Sequence, residues 1–342
     1  MKHHFPTLSL AAVVAPILLV SAGSLRAVPI KAQLSLKDEA QGEIATFVVA
    51  ATPEGLMCSA FQNGQNPKLF PHADIKEISW VEPDDWSKAW DLFIRAQYKE
   101  AAEAMAQVYV NYKGFIDLED SYASRAKFYE CESLRLAGEY AKLMEQYDEV
   151  KGVKLSQRFV AQVKLFNCWG HAGKELWAPL SRIMKDYEVK VEDIPKETIP
   201  PTGLPFKKVS PREIIQISYL RGLATHKLLP AKRDKLAALI AKDDEREKLV
   251  IGRLTVEIDD DIMSILHDYS RGMTVTYGDE KVIMKNSMLN YLDLATEAED
   301  FKENYIKQKE AHVVALLYSQ LHGKLPSEFV PLLEEPKEPE EE

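Results

Sequence analysis

Cys168 and His171, in the run Cys168-Trp169-Gly170-His171, form the sharpest metal-like spacing in this chain, because a thiolate and an imidazole three residues apart on a helix face one ion. A tetrahedral site needs two further ligands, and none lies nearby, so helix packing is the better reading. His226, His267, His312 and His322 are scattered through helix-like segments and read as solvent-side or internally bonded histidines. The run Glu257-Ile258-Asp259-Asp260-Asp261 has the carboxylates a hard cation wants but lacks the turn glycines and staggered ligand order of a calcium loop. It reads as a solvated acidic turn. No Gly-x-Ser-x-Gly elbow, His-Glu-x-x-His pair or phosphate-cradling glycine loop occurs. The residues therefore point to no catalytic group, no cofactor and no metal. Trp86, Trp90, Trp169 and Trp177 are efficient anchors for peptides or sugars, but each sits at core-like helical spacing.

Elements that would position such residues start with an N-terminal segment of leader type. Lys2 precedes an apolar run over residues 8–22, broken by Ser9, Pro16 and Ser21 and followed by small residues up to Ala27. This outline fits a secretory signal peptide over residues 1–27, since the run is shorter than the roughly 20 residues a spanning helix needs. An uncleaved anchor is the alternative. The expected location is a bacterial periplasm or the exterior, with no integral span in the mature chain. The formal charge of −10 becomes −12 without Lys2 and Arg26, and six Glu with one Lys over residues 334–342 supply −5 of it, leaving −7 on the body. There is no basic stripe, which disfavours nucleic acid. Cys58, Cys131 and Cys168 are too few for a disulfide framework. Cys131 and Cys168 stand 37 residues apart, near one repeat; free buried thiols are favoured over a pair, which stays open.

Residues 32–83 carry short apolar runs at 33–36, 44–51, 56–61 and 75–80, separated by turn clusters at 37–42, 53–55 and 63–67. Four or five short strands in this length make a small β-barrel or curled meander, or a β-hairpin cap on the first helix. From Asp84 the pattern becomes helical. Residues 86–97 and 98–112 form the first pair, with Gly114 expected to end the second helix in a left-handed turn. Further pairs are expected around Cys131 to Val150, at 156–187 and, around a break at Pro230, at 211–242. Five prolines make residues 190–211 an extended loop, ending in Ser210-Pro211-Arg212-Glu213, a capping box for the next helix. Residues 256–260 read as a loop and residues 281–321 as one long helix, with Met288, Leu292, Ala295, Ile306, Val313, Leu316 and Leu317 inward. Residues 334–342 read as a disordered acidic tail.

A small residue and a turn recur in Ala96-Gln97-Tyr98, Ala137-Gly138-Glu139-Tyr140 and Ala172-Gly173-Lys174, at intervals of 41 and 35 residues. With Ala89, Ala101, Cys131, Leu134, Tyr147 and Val150, these positions resemble the tetratricopeptide repeat, well over residues 84–150 and more loosely to about 241. Residues 70–78 resemble the last strand of SH3-like β-modules of exported bacterial proteins. These resemblances imply a mainly α protein: an α-solenoid of tetratricopeptide-like hairpins over residues 84–321 behind a small β-module. They also imply non-catalytic scaffolding with a peptide or protein in a concave groove, placed by position at Phe93, Ser124, Phe128 and Arg135. A periplasmic hydrolase or carbohydrate-binding enzyme, or a subunit of an envelope assembly, are the alternatives.

The leader reading predicts that exported protein begins between Gly23 and Val28. Intact-mass measurement checks it, and a full-length mass in the membrane fraction would show an anchor instead.

Overall fold

Alternating residues of the first strand point inward, and this builds the N-terminal end of the molecule. The computed structural model describes residues 28–38, 42–185, 187, 211–242, 244–273, 280–298 and 300–337. Residues 1–27, read above as a leader, Ser210, read as a helix cap, nearly all of residues 190–211, read as an extended loop, and the last five residues lie outside them. Strands β1 (Ile30–Leu36), β2 (Glu43–Ala51), β3 (Gly55–Ser59), β4 (Lys68–Pro71) and β5 (Ile75–Trp80) form one antiparallel sheet in the order β4-β3-β2-β1-β5. A single 3-10 turn, His72–Asp74, leads into β5, which returns to pair with β1 in the register Leu34 to Ile78. Ile30, Ala32 and Leu34 of β1, Val48 of β2 and Leu56 of β3 are buried, as a half-buried sheet requires. They share one hydrophobic cluster with Trp86, Met105, Tyr112 and Phe115, so sheet and first helices close over a common core.

The rest is mainly α: α1 (Asp84–Ile94), α2 (Tyr98–Tyr112), α3 (Tyr122–Leu136), α4 (Tyr140–Gly152), α5 (Gln157–Gly173), α6 (Trp177–Lys185), α7 (Pro211–Ile240), α8 (Lys248–Met273), α9 (Lys281–Thr296) and α10 (Tyr305–His322). The turns α1–α2, α3–α4 and α5–α6 share one geometry. Ala96, Gly138 and Glu175 each adopt positive φ, and the next amide closes back across the helix end: Gln97 to Leu92 O, Glu139 to Leu134 O, Leu176 to His171 O. Two residues after each left-handed position an aromatic opens the next helix: Tyr98, Tyr140 and Trp177. The sequence placed the third turn on Gly173. That glycine instead closes α5 against Tyr140, where a Cβ would come within 2.2 Å of the tyrosine Cβ. Gly114 lies inside the 3-10 turn Lys113–Phe115 and is not in the left-handed region, because α2 tightens before it ends.

Three further expectations are corrected. Residues 211–240 form one helix through Pro230, not a hairpin. The missing N–H and ring clash are offset by packing on both sides of the proline: Leu229 and Leu239 are buried, and Lys232 and Arg233 pair with α8 and with Glu297. Residues 256–260 are helical, since Leu254, Ile258, Ile265 and Tyr269 give α8 a buried stripe. The span 281–321 is two helices, because Asn304 caps α10 by accepting from the Lys307 amide at 3.2 Å, and folding back buries Met288 and Leu292 against Ala311, Ala315 and Tyr318.

Helix α3 is buried along nearly its whole length and carries four charged residues inside. Glu132 and Arg135, one turn apart, meet Arg212 at the start of α7 and Glu280 just before α9. Arg135 donates from Nε to Glu132 at 2.9 Å, and from Nη1 and Nη2 to Glu280 at 3.1 and 2.8 Å. Arg212 donates to Glu280 at 2.8 Å and to Glu132. Two cations and two anions cancel, and the bidentate forks satisfy most polar atoms. Burial works against these charges, yet the partners overcome it: Glu132 is held below, and Arg135 above, its usual range.

Replacing Arg135 by Glu gathers three carboxylates against Arg212 and is expected to cost at least about 3 kcal/mol of stability, by analogy with broken buried pairs. Urea unfolding checks this, and an unchanged midpoint would contradict the buried network.

Candidate functional site

Of the four residues placed on a groove by sequence, three are buried and Phe93 is partly exposed. Ser124, Phe128 and Arg135 are inside the helix stack, at 0%, 5% and 4% exposure. The Ser124 hydroxyl donates to Ile116 O and Leu118 O. Phe128 packs at 4.5 Å from Phe159, and Arg135 belongs to the network above with its guanidinium 5.7 Å from the Trp169 ring. Phe93 is partly exposed and joins Phe128 through Tyr129, each ring centroid 5.2 Å from that tyrosine. The structure thus brings Phe93 and Phe128 into one aromatic cluster and leaves Arg135 apart from it. These three buried side chains offer no face to a partner.

The other chemistry-bearing residues are committed within the fold. The Cys168 thiol faces Lys164 O at 3.8 Å, and His171 Nδ1 contacts Asn167 O at 2.8 Å, each one turn back along α5. Burial pushes Cys168 up to about 12 and Cys58 up to about 11. All three cysteines are free and buried. Among the described residues no group of three His, Cys, Asp or Glu is arranged to hold a metal ion. Glu257 and Asp261 sit one turn apart on α8 and both hold Lys232 of α7, Asp261 at 2.6 Å, so the acidic run is engaged by a lysine of its own chain. Trp86 and Trp169 are buried, and Trp169 Nε1 donates to Gln216 at 2.8 Å.

Exposed apolar surface collects at the C-terminal end. Leu249, Val256 and Met263 of α8 are 69%, 59% and 68% exposed, and Ile306 and Val313 of α10 are 68% and 56%. Ile306, Val313, Leu316 and Leu317 were expected inside; Ala311, Ala315 and Tyr318 occupy the inward stripe of α10 instead, and rotate those four outward. Helices α8 and α10 both pack on α9, and the gap between them is an apolar groove of about 550 Å³. Met263, Leu266, Met273, Val313 and Val314 line it, with Tyr291 of α9 donating to Glu310 at 3.1 Å at its edge. Sequence reasoning missed this surface; its one legible signal is the seven-residue spacing of Leu249, Val256 and Met263.

A second electrostatic feature lies on the opposite side of α3. Lys127, 2% exposed, reaches Glu130 at 3.1 Å, Gln146 at 2.7 Å and Glu149 at 2.7 Å. Glu149 also accepts from Tyr109 at 2.7 Å and Lys113 at 3.0 Å. Partial burial opposes its charge, but the bonds from Lys127, Tyr109 and Lys113 outweigh it and carry the carboxyl down to about 2. The cleft beside it, about 390 Å³ among α2, α3 and α4, mixes charged side chains such as Lys99, Glu103, Glu139 and Lys142 with Ala102, Ala106 and Leu134.

No protein-family model, curated protein or solved structure matches the chain. No described helix is long and apolar enough to cross a membrane.

Because the Glu149 carboxyl titrates lower folded than its ordinary 4.5, its contribution to stability is complete above about pH 4.5 and is lost as pH falls toward 2. Urea midpoints of the natural chain and Glu149→Gln should differ at pH 7 and converge between pH 4.5 and 2; a gap independent of pH would contradict it.

Proposed function

We propose that this is a non-catalytic protein-binding protein, exported by its N-terminal leader, whose helix pairs follow the tetratricopeptide pattern. The carrying observation is the open apolar groove between α8 and α10, into whose lining the exposed Met263 of α8 and Val313 of α10 enter. A monomeric surface has no use for so many ordered apolar residues in one region, whereas a polypeptide partner buries them at roughly 25 cal/mol per Å². The occupant that fits a trough between two helices is a third helix with an apolar face, its anchors spaced by three, four and seven residues. Lys309 and Glu310 on the rim suit a partner with charges of both signs flanking that face.

The repeat reading is supported by the three identical left-handed turns at Ala96, Gly138 and Glu175, each followed by an aromatic. The five-strand meander closing from β5 onto β1 supports an SH3-like module. Non-catalytic action is supported by the engagement of Cys168 and His171 with backbone carbonyls of their own helix. The binding surface moves from the first helices, where the sequence put it, to the last ones.

A photo-crosslinking amino acid at Val313 is expected to attach covalently to a polypeptide in the envelope fraction, at a segment with an apolar helical face. The same probe at exposed Lys88 serves as control. Equal yields at both positions, or attachment only to lipid or glycan, would overturn the reading.

A further inference from the structure

The outer face of α8 is complementary to itself. Leu249 and Met263 stand seven residues on either side of Val256, all three apolar and more than half exposed. Arg253 and Asp259 stand three residues on either side of the same valine, and Gly252 and Asp260 four. A helix positions i±3, i±4 and i±7 on one face, so these seven residues form one stripe with a pseudo-two-fold centre at Val256. Arg253, Asp259 and Asp260 are exposed and engage no ion-pair partner among the described residues.

We infer that the partner of this surface is a second copy of the chain, docked antiparallel along α8 with Val256 on the two-fold axis. This rests on the protein-binding reading and names a partner for the face of α8 that adjoins the groove at Met263. In that arrangement Leu249 of each copy meets Met263 of the other, at the mouth of the α8–α10 groove, and Arg253 of each meets Asp259 of the other. The parallel alternative places Arg253 against Arg253 and Asp259 against Asp259, so charge selects the antiparallel one. The seven-residue apolar repeat suits a shallow, left-handed crossing of two helices. An isologous contact of this kind closes on itself and leaves no free end.

Gly252 supports the same conclusion from another direction. A glycine in an exposed helix interior weakens the helix, and here a Cβ would meet nothing within 4 Å among the described residues, so no contact among them calls for it. Together with Lys248, Leu249, Arg253 and Val256 it borders a depression of about 390 Å³. Lack of a side chain there lets a second backbone approach closely, as small residues do at helix crossings.

Sedimentation equilibrium of the full chain over a concentration series tests the proposal. A monomer–dimer equilibrium is expected, weakened at least about tenfold by Leu249→Lys or Met263→Lys, since each removes apolar contacts on both sides of the axis. Both side chains are exposed, so thermal melting of the dilute protein should be unchanged. Arg253→Asp alone and Asp259→Arg alone should each weaken the dimer, and the double charge swap should restore it. Val256→Cys should form an intermolecular disulfide on mild oxidation, because the native thiols are buried. A chain that stays monomeric, or a dimer indifferent to all of these changes, would overturn the inference. If the chain is monomeric while the Val313 probe still attaches to a different polypeptide, the self-pairing falls and the protein-binding reading stands.

Discussion

Four charged side chains buried on one helix set the terms for the rest of the molecule. Lys127, Glu130, Glu132 and Arg135 all lie on α3, and a charge taken from water is tolerated only where it is paired and hydrogen-bonded. Each pair therefore dictates what must lie beside it. On one side Lys127 fixes Glu149 and Gln146 of α4 and, through Glu149, Tyr109 and Lys113 next to it. On the other, Arg135 and Glu132 fix the starts of α7 and α9 through Arg212 and Glu280, which are 80 and 145 residues away from the α3 partners they meet. Hydrophobic contact alone tolerates sliding between helices. Forked hydrogen bonds do not, and so they set the register of the stack.

Around that axis the apolar residues divide into three clusters: sheet with α1 to α3, the long run from α3 to α9, and α9 with α10 and Phe329. The sheet is no independent appendage, since its inner face and the first helices exclude water from the same side chains. At the far end the balance changes. Alanines 311 and 315 bring α10 close to α9, and the larger aliphatic residues of that helix are turned out, as they are on the outer face of α8. What looks from the core like economy of packing leaves an apolar surface in need of a partner.

The sequence was legible where the signal is local. Strand positions, the start of the helical region at Asp84, the boundaries of α2 and the turn at Gly138 all follow from period-two or period-three-and-four apolar spacing and from turn residues. It misled where local propensity and tertiary packing disagree. Pro230 argued for a break, and the acidic residues over 256–260 for a loop, yet the buried stripes on either side of each run on through one uninterrupted helix. On α10 the longer aliphatics Ile306 and Val313 looked like core, but a close helix contact selects small residues, so Ala311 and Ala315 face inward.

Taken alone, the sequence determined the class of the protein: an N-terminal antiparallel β-segment, a long helical body, and recurring small-residue turns between helices. These are properties of short windows, in which backbone preference and one buried stripe suffice. Only the tertiary structure decided which face of each helix is free. Arg135 looks like an exposed anchor until Glu280, remote in sequence, arrives beside it, and Val313 looks like core until Ala311 and Ala315 are seen to face α9 in its place. Exposure depends on what stands opposite a residue across the chain, and no local pattern carries that information.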